Sequence, residues 1–162
     1  MFKLFPARQF FELAVLSVIA AALTTGCLDT RPLGRVNLSE PGWQVKEGQG
    51  VWKMKKTSPE LAGEILLATR TDGRAYLQFT KTPFPFVIAQ LTMNSWQFEL
   101  PTQNRRYSGP GKGPARMPWL RLPGLLRGEK PPAGWRWRVP ETNHWRLEKL
   151  STGEFIEGFL EP

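Results

Sequence analysis

The stretch GEILLATR-TDG-RAYLQFTK, residues 63–81, decides the fold. Two runs of alternating character flank Thr71-Asp72-Gly73. Asp-Gly tolerates positive φ at low cost, so the spacing predicts a β-hairpin. In the second run Ala75, Leu77 and Phe79 share one face, because successive strand side chains point to opposite sides.

Working outward, the same period of two recurs. Phe86 to Leu100 predicts a second hairpin turning near Asn94, with Trp96, Phe98 and Leu100 on one side. At the far end, HWRLEKL and EFIEGFL flank Ser151-Thr152-Gly153, a third hairpin. Trp135 and Trp137 alternate with Arg136 and Arg138 in a short strand. Towards the N-terminus, Trp43 and Val45, then Trp52 and Met54, alternate with polar residues and read as a dry face. Thr57-Ser58-Pro59-Glu60-Leu61 predicts a single helical turn. Residues 101–134 are rich in Pro and Gly and read as one long, mostly irregular excursion. Its one plausible helix is MPWLRLPGLLRG, residues 117–128, which Pro123 is expected to interrupt. The fold class is therefore mainly β: a single antiparallel sheet over residues 43–162, with at most short helices.

The first 26 residues have another character. Lys3 and Arg8 precede an uncharged apolar run, LAVLSVIAAALTT, residues 13–25, and then Gly26 and Cys27. That run is shorter than the roughly 20 residues a membrane span needs, and it reads as a cleaved signal peptide, residues 1–26. Thr24-Thr25-Gly26-Cys27 resembles the lipobox of bacterial lipoproteins. The resemblance implies that Cys27, the chain's one cysteine, is lipidated and anchors the protein to a membrane. Leu28 after it favours the outer membrane by similarity to lipoprotein sorting rules. Residues 27–42 hold Pro32, Gly34, Ser39, Pro41 and Gly42 and few large apolar side chains, so they read as a flexible tether.

Charge is concentrated. The chain carries +8 overall, and residues 101–140 hold nine basic residues against one acidic, Glu129. A focused basic surface attracts anions. Arg105, Arg106, Lys112, Arg116 and Arg121 are the candidate anion-binding residues. A secretory signal argues against nucleic acid as the partner and points to phospholipid head groups, lipopolysaccharide or peptidoglycan.

Catalytic signals are sparse. The single histidine, His144, lies inside a predicted strand. Asp29 and Asp72 are the only aspartates, one in the tether and one in a turn. Glu154 and Glu157 fall on opposite strand faces. GPGKGP, residues 109–114, lacks the Ser or Thr that follows the lysine of a phosphate loop. No catalytic residue, metal ligand or cofactor is expected.

A lipidated secretory chain followed by an antiparallel meander resembles the LolA/LolB lipoprotein carriers. The likeness runs from Gly63 to Arg127, and MPWLRLPGLL followed by GEKPPAGW is similar to a LolB segment in which a leucine-rich turn leads into a proline-bearing loop. The resemblance implies a sheet curled into a half-barrel, acyl chains or other lipoproteins as ligands, and a role in lipoprotein localisation. Candidate lipid-binding residues are Trp52, Phe79, Trp96, Phe98 and Trp145 on the dry face, with Phe84 and Phe86 in the stiff KTPFPFV segment, residues 81–87. The alternative is an envelope interaction protein with a filled core, using its basic surface to bind an anionic polymer or lipid. Periodicity places the same aromatics on the same face in both cases.

Overall fold

The computed structural model describes residues 32–139 and 144–161. The expected signal peptide, Cys27 and the first part of the tether lie outside them. Nine antiparallel strands form one sheet. They are β1 (Gln44–Lys53), β2 (Leu61–Thr69), β3 (Ala75–Lys81), β4 (Phe84–Leu91), β5 (Ser95–Leu100), β6 (Arg105–Pro110), β7 (Trp135–Arg138), β8 (His144–Lys149) and β9 (Glu154–Leu160). Their order is β6-β5-β4-β3-β2-β1-β9-β8-β7. The sheet is curled and open, as a half-barrel is, with β6 and β7 as its edges.

The central hairpin forms as its sequence predicts. Gly73 adopts φ +83°. Its N–H donates to the Arg70 carbonyl at 3.2 Å, and the Arg70 N–H donates to the Arg74 carbonyl at 2.9 Å. Asp72 Oδ1 accepts from the Arg74 N–H at 3.1 Å. That bond, with the Arg74 and Arg70 guanidinium groups, holds the Asp72 carboxyl below its usual range. The other two hairpins also form, β4–β5 around Asn94 and β8–β9 around Gly153, which has φ +67°.

A row of glycines allows the curl. Gly50 pairs with Gly63 on β2 and with Gly158 on β9, so three bare backbones lie side by side. A Cβ at Gly158 would overlap the Gln49 carbonyl oxygen, and one at Gly63 would overlap the Thr80 carbonyl. Side chains here would push the strands apart and flatten the sheet.

The concave face is packed. Leu77, Phe79, Val87, Leu147 and Ile156 are completely buried. Because β6 and β7 are opposite edges, residues 111–134 must cross the whole sheet. They cross the concave face as a 3-10 turn, Pro118–Leu120, and a short helix, α1 (Leu122–Leu126). This crossing buries Trp119, Leu120, Leu122 and Leu125 against the strands. Trp119 stacks on Phe79 and meets Trp52 edge-on, with centroids 4.9 and 5.8 Å apart.

Four expectations need correction. Thr57–Leu61 is not a helical turn: Ser58 N–H donates to Lys55 in a tight turn, and Leu61 already begins β2. Pro123 does not interrupt the helix. It lies in the first turn of α1, where its missing N–H costs nothing, and the break falls at Arg121. The excursion is less irregular than expected, since Arg105–Pro110 form β6. An edge strand tolerates Gly109 and Pro110, so composition hid it. Trp43, Val45 and Met54 are not on the dry face, Met54 lying one residue past the end of β1 and 44% exposed. Core-facing positions of β1 are even-numbered, Gly48, Gly50 and Trp52, so odd-numbered Val45 lies outside, 44% exposed. Trp43 precedes β1 and packs under Arg70, 5.6 Å from its ring centroid.

Residues 32–42 contain no helix or strand and run over the outer face. Leu33 N–H donates to Gln97 Oε1 at 2.7 Å, and Glu40 pairs with Arg70 at 3.3 Å. Gln97 is thereby buried among polar partners, its amide donating to Glu99 at 2.6 Å.

Candidate functional site

The seven candidate lipid-binding aromatics separate into three groups. Trp52, Phe79, Phe98 and Trp145 are core residues, with Phe79 and Trp145 at most 1% exposed. Trp119 fills the space that Trp52 and Phe79 face, and Trp137 stacks on Trp145 with centroids 6.0 Å apart. Phe84 is 63% exposed at the β3–β4 turn, and Phe86 is half-buried against the core edge. Trp96 stands apart, half-buried at the end of the concave face.

Trp96 opens onto a groove of about 970 Å³ that runs along β6. Arg106 to Pro110, all of β6 but its first residue, line it. The loop bearing Gly113, Pro114, Arg116 and Met117 forms the facing wall, and Pro32–Gly34 also border it. Trp96 is fixed there by its indole N–H, which donates to the Pro110 carbonyl at 3.2 Å. Gly109 beside it leaves room for the ring: a Cβ would sit 3.1 Å from Trp96 Cζ2. The same groove thus holds an aromatic floor, Tyr107 and Met117, and two of the candidate cations.

The five candidate cations have different roles. Arg121 is structural; its guanidinium donates to the Gly113 carbonyl at 2.5 Å and pins the loop that faces β6. Lys112 pairs with Glu129 at 3.3 Å, and Arg127 shares that carboxylate at 3.5 Å. Arg106 is held across the β5–β6 ladder by Glu99, at 3.1 Å. Arg105 and Arg116 are exposed and make no ion pair among the described residues. No residue lining the groove carries a carboxylate, and with Arg106 paired to Glu99, Arg116 supplies its unpaired positive charge among the described residues.

A second groove, of about 670 Å³, lies over the glycine row. His144 borders it beside Phe159, with Glu64, Glu157 and Lys81. Glu157 is engaged by Arg146 at 2.5 Å, and Arg146 also lies 3.8 Å from the Phe155 ring centroid. Among the described residues, no three of His, Cys, Asp or Glu come together as metal ligands would.

Tyr107, Ser108 and Met117 were not singled out from the sequence. Residues 105–110, RRYSGP, show no alternation of apolar and polar side chains, so the sequence carried no strand signal for the first two. No protein-family model matches the sequence, and no curated protein is significantly similar to it.

Proposed function

We propose that this is a lipoprotein of the bacterial outer membrane, anchored through Cys27, that binds an acyl chain or another lipoprotein and takes part in lipoprotein localisation. The observation that carries the reading is the groove beside Trp96. A site for a lipid chain needs about 300 Å³ or more and apolar side chains in its walls. The groove offers about 970 Å³, with Trp96, Tyr107 and Met117 exposed to it. The interior, which the resemblance to the Lol carriers would favour, is filled by Trp119 and Leu122. Ligand binding is therefore assigned to the β5–β6 edge rather than the centre of the half-barrel.

A second reading rests on Arg105 and Arg116, both exposed: retention of an anionic envelope polymer without any lipid. Native mass spectrometry of the Cys27→Ser protein, purified from the membrane-free fraction of cells, separates the two. Bound lipid that is lost on Trp96→Asp, with the fold intact, supports the proposal. A protein that never carries lipid, yet is retained by peptidoglycan or lipopolysaccharide through Arg105, Arg106 and Arg116, overturns it.

A further inference from the structure

We infer that the free edge of β6 takes an extended, acidic polypeptide segment as a tenth strand. This rests on the groove being the ligand site, and it narrows the ligand from a free acyl chain to one that carries polypeptide.

The ladder sets which groups are free. Gly111 N–H donates to the Asn94 carbonyl at 2.8 Å. That pair continues the β5–β6 register, in which Trp96 faces Gly109, Phe98 faces Tyr107 and Leu100 faces Arg105. Hydrogen-bonded pairs alternate along an antiparallel ladder, so residues 105, 107, 109 and 111 point their backbone groups towards β5. Arg106 and Ser108 point theirs the other way. Two N–H and two C=O groups therefore face the groove. Among the described residues, no other segment bonds to them.

An unpaired row of this kind is a template for another strand. Edges are commonly blunted by proline or charge. Here Pro110 is the last residue of β6, its carbonyl already used by Trp96, and the Arg106 side chain is drawn onto Glu99 across the strand. Neither blocks the edge at Ser108. The other edge, β7, is only four residues long and lines neither of the two large grooves. Charge chooses the partner: no carboxylate lines the β6 groove, Arg106 is paired with Glu99, and Arg116 makes no ion pair among the described residues, which favours a glutamate or aspartate side chain beside Arg116.

Ser108→Pro is the selective test. Proline there deletes an outward N–H but no bond to β5, and edge strands accept it on that side. The probe is a capped hexapeptide alternating glutamate and valine, added to the Cys27→Ser chain, which lacks the covalent lipid anchor. Binding is followed by amide hydrogen exchange and two-dimensional NMR. Expected results are slowed exchange at Arg106 and Ser108, and affinity reduced about tenfold or more by Ser108→Pro. Arg116→Glu should weaken the glutamate peptide and favour its lysine counterpart. A glutamate peptide N-methylated at alternate residues should not bind the unaltered edge, which keeps the test valid if Ser108→Pro unfolds. The proposal is overturned if the N-methylated or lysine peptide binds the Cys27→Ser chain as well as the glutamate peptide, or if exchange at Arg106 and Ser108 is unchanged at millimolar peptide. Self-association through β6 that excludes the peptide also overturns it. Bound lipid in the same preparation, with no peptide response, would leave the lipid reading standing and remove only this one.

Discussion

Trp119 stacks on Phe79 at 4.9 Å between ring centroids, inclined by 27°. The first belongs to the crossing segment and the second to the central hairpin, so this contact joins the plug to the sheet. Both are completely buried. It is also why the concave face holds side chains rather than a ligand.

Trp119→Ala should therefore cost about 3–5 kcal/mol, the usual loss when a large buried aromatic is truncated. Among the described residues, the indole N–H of Trp119 has no hydrogen-bond partner. Trp119→Phe removes that orphaned donor and should cost much less. Urea denaturation measures both. A loss under about 1 kcal/mol for the alanine variant would mean that the plug does not hold the core.

Gly158→Ala should destabilise by about 1–3 kcal/mol or more, because the new methyl group meets the backbone of β1, Gly50 Cα at 3.0 Å included. Backbone cannot swing aside as a side chain can. Gly34→Ala has open space within 4 Å and serves as the control, with stability unchanged. Equal midpoints for the two variants would refute the role given to the glycine row.

The Glu154 carboxyl is pushed above its ordinary value by burial, which outweighs the opposing attraction of Lys149 across the β8–β9 ladder. The folded state thus holds this proton more tightly than the unfolded chain does. Its contribution to stability is greatest when Glu154 is protonated and falls as pH rises through the carboxylate range. Glu154→Gln should be more stable than the parent at pH 7, with the difference shrinking towards pH 4. Paired urea curves at the two pH values check this, and an advantage that grows on acidification would contradict it.

Cys27→Ser, expressed in a Gram-negative host, should move the protein from the membrane to the soluble fraction. Unchanged membrane attachment after fractionation would remove the anchor from the proposed function.

His144→Gln should alter stability at most. A cell phenotype from that change, with the protein folded and abundant, would reopen the question of catalysis.

Local signals alone specify most of the strands and the turns between them. Asp72-Gly73 and Thr152-Gly153 are local signals: positive φ at glycine and alternation beside it need no distant partner. The sequence also placed Phe79, Trp96 and Trp145 on the dry face. The use of that face depended on long-range packing. Pairing of β9 with β1 puts β6 and β7 at opposite edges, and the chain between them must then cross the concavity. That crossing turned Trp52 and Phe79 into packed core and left Trp96 at a groove. Periodicity records which side of a strand a residue is on, and it carries no information about what arrives there from 40 residues away. The same holds for the arginines. Composition gathered them in one segment, but only the fold gave Arg106 to Glu99, Lys112 to Glu129 and Arg121 to the Gly113 carbonyl, leaving Arg116 beside the free edge of β6.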